Sequence, residues 1–150
     1  MTQVPYVPTW QSYVAQTTQP LFTPEQCKMI IDAGHQCKPE DAKVGGGQKG
    51  KYDTKKRVTT ISWIPFQEMG HMYRDLYTFI QKANENHFGF GDIQITENAQ
   101  FTEYPEGGFY DWHMDCDVNM SHEPPVRKIS MTLLLNDPSE FEGGDLELMA

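Results

Sequence analysis

One stretch constrains the second half of this chain more than any other: Tyr104-Pro105-Glu106-Gly107-Gly108-Phe109-Tyr110-Asp111-Trp112-His113-Met114-Asp115. Its proline lacks an amide hydrogen and its paired glycines reach positive φ without steric cost, so the backbone must turn there and cannot run on as a helix. The residues after the turn read as a short extended run that ends in His-x-Asp. Side chains two apart in a strand point to the same face, so His113 and Asp115 can bring an imidazole nitrogen and a carboxylate oxygen to one point.

The rest of the chain is read by whether it can support that point. Thr23 as N-cap, Pro24 behind it and Gln26 three residues on form a capping box, and Cys27, Ile30, Ile31 and Gly34 follow at helical spacing. This predicts a short amphipathic helix ending near Gly34. Residues 57–64, Arg-Val-Thr-Thr-Ile-Ser-Trp-Ile, are rich in β-branched side chains and stop at Pro65, as a strand does. Met69, Met72, Tyr73, Leu76, Ile80, Ala83 and His87 then mark one face of a longer helix that stops at Gly89. His71 lies off that face in solvent, and His87 at the helix end caps carbonyls. Beyond Gly91 the helical period disappears. Short strands are predicted at residues 93–96, 99–104, up to His113, at 127–135, where Ile129, Met131, Leu133 and Leu135 alternate with mostly polar residues, and at 145–149. Asn136-Asp137-Pro138 is a turn, and Gly143-Gly144 needs positive φ or close backbone approach. The architecture is α+β, with helices first and then an antiparallel sheet that buries one face.

Composition narrows the function. A length of 150 residues suits one domain. With 21 acidic against 12 basic side chains the net charge is −9, which repels a phosphate backbone, so nucleic acid is not expected as a partner. Cys27, Cys37 and Cys116 form no CxxC spacing and no even-numbered framework, which points to a reducing compartment. The first twenty residues show no basic and apolar leader pattern, and no later run approaches a membrane span, so a cytoplasmic protein is the expectation. Gly45-x4-Gly50-Lys51 imitates a phosphate-binding loop, but Tyr52 stands where a magnesium-holding Ser or Thr belongs, and neither the strand nor the helix of that motif flanks it. Residues 38–56 read instead as a loop able to act as a lid.

Alone, His-x-Asp is common and usually no more than a histidine beside a surface acid. Imidazole plus carboxylate with coordination positions left open is nonetheless the ligand set of non-haem iron(II) oxygenases, which need one further histidine. Three motifs occur together here: Tyr104-Pro-x-Gly-Gly-Phe-Tyr-x-Trp-His113-x-Asp115, Arg127-Lys-Ile-Ser-x-Thr-Leu-x-Leu-Asn136 and Phe141-Glu-Gly143-Gly144-Asp-Leu-Glu-Leu. With them, residues 99–148 resemble the iron(II)- and 2-oxoglutarate-dependent oxygenases of the prolyl-4-hydroxylase type, particularly the bacterial and phage PKHD-like branch. The resemblance implies a double-stranded β-helix, or jelly roll, buttressed by the N-terminal helices. It implies that His113 and Asp115 ligate Fe(II), that Tyr104 hydrogen-bonds 2-oxoglutarate, that Tyr110 faces the substrate pocket, and that Arg127 lies near its mouth. Leu134 falls where some relatives place a tyrosine against the co-substrate's far carboxylate. The activity implied is hydroxylation of a protein or peptide side chain, proline first, consuming O2 and converting 2-oxoglutarate to succinate and CO2, with ascorbate as an accessory reductant.

The same resemblance calls for a second histidine and a Lys or Arg for the C5 carboxylate on strands after Gly144. Those elements are expected beyond Ala150, which makes residues 1–150 a single oxygenase domain incomplete at its C-terminal end. Of the other histidines, His35, His71, His87 and His122, the last is nearest but lies in a loop, where a ligand is poorly held. The competing expectation is a catalytically silent jelly-roll module that binds without a complete metal centre. Nucleic-acid demethylation is disfavoured by the net charge and by the Glu-Gly-Gly signature.

Overall fold

The computed structural model describes residues 12–42, 52–115 and 126–149. The capping box forms as expected. The Thr23 hydroxyl accepts from the Gln26 amide and the Gln26 side chain accepts from the Thr23 amide, opening helix α1 (Pro24–Gln36) with two otherwise orphaned donors satisfied. Gly34 does not end this helix, which runs two residues further. It is instead the point where the helix meets the sheet, since a Cβ on Gly34 would sit 2.4 Å from Cγ of Phe101.

The β-branched run at residues 57–64 is extended but is divided between two sheets. Glu40–Asp41 (β1) and Ala99–Glu103 (β4) flank Thr60–Ile64 (β3) in an antiparallel three-stranded sheet of order β1-β3-β4. Arg57–Val58 (β2) pairs instead with Phe109–Tyr110 (β5), Arg57 opposite Tyr110 and Val58 opposite Phe109. The break falls at Thr59, which is itself buried. Along β3 and β4, Ser62 opposes Phe101 and Ile64 opposes Ala99, and this face receives the helices. The Ser62 hydroxyl donates to the Gly34 carbonyl at 2.9 Å.

The apolar stripe after Met69 becomes α2 (Gly70–Ala83), with Met72, Tyr73 and Leu76 buried and His71 exposed as its position off the stripe implies. Tyr73 fastens this helix to the sheet end. Its hydroxyl donates to the Ile64 carbonyl and accepts from the Ala99 amide. Burial raises the Tyr73 pKa, the Ala99 hydrogen bond opposes that rise, and proximity to Cys37 adds to it. The helix continues as one π-helical turn, Asn84–Phe88, and closes at Gly89 with φ 68°. Asn84, not His87, does the capping: its buried amide donates to the Phe90 carbonyl and accepts from the Phe90 amide. Phe22, Ile30, Ile64, Met72, Tyr73, Leu76 and Phe101 form the core.

Several expected strands are absent from the described residues. Residues 93–96, 127–135 and 145–149 carry no ladder. In 127–135 the predicted alternation survives only in part: Leu133 and Leu135 pack on the core and Ile129 is half-buried, while Met131 and Leu134 are exposed. Leu146, Leu148 and Met149 are exposed. The Asn136-Asp137-Pro138 turn forms a capped 3-10 turn, Pro138–Glu140, and Gly143 and Gly144 both adopt positive φ, 76° and 72°. The mixed helix and antiparallel sheet content is α+β. Among the described residues the double-stranded β-helix is not assembled: three strands and two strands make separate small sheets. The glycine-rich segment at residues 45–51, Cys116 and His122 lie outside the described residues.

Candidate functional site

The turn before His113 is built as its sequence requires. The Gly108 amide donates to the Pro105 carbonyl at 2.7 Å and Gly107 takes φ 71°. A Cβ on Gly108 would press to 2.7 Å of Pro105 Cδ and 2.9 Å of the Val58 carbonyl oxygen, so only glycine lets the turn lie against β2. Beyond β5 the ladder stops. The Asp111 amide makes one more cross-chain bond, to the Lys56 carbonyl at 2.7 Å, and residues 111–115 then leave the sheet. His113 and Asp115 are therefore not two positions of one paired strand, and the period-two argument for their convergence does not apply.

They converge all the same, by another route. His113 Nδ1 lies 2.8 Å from the Asp111 carbonyl oxygen and Nε2 lies 3.2 Å from Asp115 Oδ1. A carbonyl can only accept, so Nδ1 carries the hydrogen, and in the neutral ring Nε2 is left as a lone pair facing a carboxylate. Two facing lone pairs at that distance repel unless a proton or a cation stands with them. Histidine ligands of metals characteristically give their other ring hydrogen to a backbone carbonyl in this way. The pair therefore fits a divalent cation on donor type and on orientation. Among the described residues no group of three or more His, Cys, Asp and Glu side chains gathers as a metal site.

Two neighbours reinforce the pair. Tyr110 stacks on the imidazole with centroids 3.5 Å apart and planes 12° from parallel. Arg127 donates from Nη1 to the Asp115 carbonyl at 3.0 Å, and from Nε and Nη2 to Glu97 Oε1 at 3.1 and 2.6 Å. Its guanidinium thus ties the backbone at Asp115 to the loop before β4. Tyr104 stands one residue past β4 and is 54% exposed. Trp112 is 56% exposed. Sequence reasoning missed Asp111, whose carbonyl fixes the imidazole, as well as Glu97 and Arg57. Arg57 lies with Cζ 4.3 Å from the Tyr110 ring centroid. Only the pairing of β2 with β5 could have revealed that contact.

Comparison with known proteins bears on the segment that holds this pair. Residues 99–150, the segment that carries the convergent pair, match the model of the 2OG-Fe(II) oxygenase superfamily. A PKHD-type hydroxylase of Pseudomonas fluorescens is 40% identical over 48 residues, 30% of this chain and 21% of that protein. The chain thus spans about a fifth of the length of that relative. No solved structure matches. The superfamily whose model matches implies Fe(II), 2-oxoglutarate and O2. No described helix is long and apolar enough to cross a membrane.

Proposed function

We propose that this chain supplies two iron ligands, His113 Nε2 and a carboxylate oxygen of Asp115, to a 2-oxoglutarate-dependent dioxygenase that hydroxylates a protein or peptide side chain, with prolyl residues first among its targets. Bound there, iron with 2-oxoglutarate supplies the activation of O2 that accompanies conversion of the co-substrate to succinate and CO2. The carrying observation is the orientation of His113, its Nδ1 hydrogen on Asp111 and its Nε2 aimed at Asp115.

The chain's own residues then have distinct tasks. Asp111 selects the tautomer that leaves Nε2 basic. Arg127 holds the main chain of Asp115, so that its carboxylate need not be ordered at the moment of binding. Tyr104 hydrogen-bonds 2-oxoglutarate, and Tyr110 borders the substrate pocket. The third ligand, the cation for the C5 carboxylate, the jelly roll, and the assignment of residues 1–150 to a single oxygenase domain belong to the same proposal. So do the PKHD-like substrate class, the reducing cytoplasm and ascorbate as accessory reductant.

Anaerobic titration with Fe(II) and 2-oxoglutarate tests the reading. The expected result is a visible metal-to-ligand charge-transfer band that is absent from His113→Ala and Asp115→Ala. A wild-type chain that binds neither metal nor co-substrate, or variants that keep the band, would overturn it. The presence of two donors without a third among the described residues favours one second reading, a silent binding module. That module would retain 2-oxoglutarate or peptide affinity unaffected by either substitution.

A further inference from the structure

We infer that Arg57 is a positioning residue for His113, acting through the ring of Tyr110; the inference rests on reading His113 as an iron ligand. Arg57 and Tyr110 are direct partners across the β2–β5 pair, so their side chains rise from the same face of the ribbon. The guanidinium carbon lies 4.3 Å from the Tyr110 centroid and the imidazole centroid 3.5 Å from it, the imidazole nearly parallel to the phenol. Two flat groups that close to one centroid overlap if they share a face, so the phenol ring is sandwiched between Arg57 and His113.

The outer member of the sandwich is itself held. Arg57 Nε donates to Thr59 Oγ1 at 2.8 Å and Nη2 donates to Gln100 Oε1 at 2.9 Å, so the fork is gripped from β3's approach and from β4. Stacking alone stops an imidazole from tilting but lets it rotate in its own plane. The bond from Nδ1 to the Asp111 carbonyl stops that rotation. With both constraints Nε2 has one direction, toward Asp115. Removing Arg57 frees one face of Tyr110, and the tilt of His113 is then no longer set.

The test uses Co(II) and Fe(II) affinity measured anaerobically, together with the ring-current shift that Tyr110 imposes on the His113 ring protons in the metal-free chain. Arg57→Met is expected to move those protons toward their unstacked positions and to weaken metal binding about three- to ten-fold, up to the lower edge of what direct hydrogen-bond partners of a metal ligand contribute, since Arg57 acts through a ring. Arg57→Lys keeps the charge but loses the planar fork, and should fall between; it also serves if Arg57→Met fails to fold. Tyr110→Leu should weaken metal binding at least as much as Arg57→Met, and adding Arg57→Met to Tyr110→Leu should cost nothing further, because the route through the ring is already gone. Unchanged metal affinity in Arg57→Met, with or without a change in ring-current shift, overturns the inference. An additional loss in the double variant overturns it as well. A wild-type chain that binds neither metal sinks the iron reading itself, and the ring-current arm then reports separately on whether the sandwich exists.

Discussion

Replacing Gly34 with alanine puts the packing of α1 on the sheet to a quantitative test. Alanine is the better helix former, and at an unconstrained helical site the change would stabilise by roughly 0.5–1 kcal/mol. Here the added methyl would meet Phe101 Cδ1 and Cγ at 2.4 Å and Cδ2 at 2.8 Å. The ring cannot simply step aside: it is buried, it lies edge-on to His35 with centroids 5.4 Å apart, and it faces Ser62 across the ladder. Ser62 in turn holds the Gly34 carbonyl, so the helix cannot lift without breaking that bond. Overpacking of a closed core site costs about 1–3 kcal/mol. The clash outweighs the propensity gain, for a net loss of about 1–2 kcal/mol and a fall in Tm of about 4 °C for a chain of this size. Urea unfolding followed by circular dichroism measures it. Phe101→Leu provides the internal control: with the ring gone, Gly34→Ala should become neutral or stabilising, a coupling of about 1 kcal/mol or more. If Gly34→Ala stabilises the chain with Phe101 in place, the account of this contact is wrong.

Tyr73→Phe removes the donor to the Ile64 carbonyl and the acceptor for the Ala99 amide, and should cost about 1–3 kcal/mol in chemical unfolding. Because burial raises the Tyr73 pKa, its contribution is complete below the ordinary tyrosine value of about 10 and is lost as pH rises through the higher folded value. The wild type should therefore lose stability in that alkaline window by a step that Tyr73→Phe lacks; identical profiles would refute this. Arg127→Met cuts the tie from Asp115 to Glu97 and is expected to weaken Fe(II) binding several-fold, while Glu97→Gln, which keeps an acceptor at Oε1, should cost less; calorimetry decides the order. Thr23→Ala removes half of the capping box and should lower stability by about 1 kcal/mol, read from the urea midpoint.

What was legible in the sequence was whatever depends on neighbours in the chain. The capping box at Thr23 and Gln26, the stripe through Met72 and Leu76, and the Pro105-to-Gly108 turn are all set by residues a few positions apart, and all form. Strand pairing is not local. The alternation in residues 127–135 told that Leu133 and Leu135 turn inward but failed at Met131, which is exposed, and apolar period carries no information about which backbone, if any, completes the ladder. For the same reason one β-branched run was read as one strand, although its first two residues pair with Phe109 and Tyr110 and the remainder with β1 and β4. At the site, the convergence of His113 on Asp115 was anticipated for a mistaken reason. It comes from a hydrogen bond between the imidazole and the main chain at Asp111, and no composition or spacing rule encodes such a bond. Arg57 was hidden more deeply still, since its contact with Tyr110 joins residues 53 positions apart.

The division of residues 57–64 between two sheets has a mechanical consequence. The ribbon bearing Tyr110 is continuous with β3 through Thr59 and is cross-linked to β4 by the Arg57–Gln100 bond, so it has two attachments to the most deeply buried strands of the molecule. Transient opening of the ribbon must then strain β3 and β4, so its paired amides and the Asp111 amide bonded to Lys56 should exchange on the timescale of the core, unlike the exposed residues that follow. The ribbon that leads to His113 inherits its rigidity from a hydrophobic interior to which it contributes almost nothing.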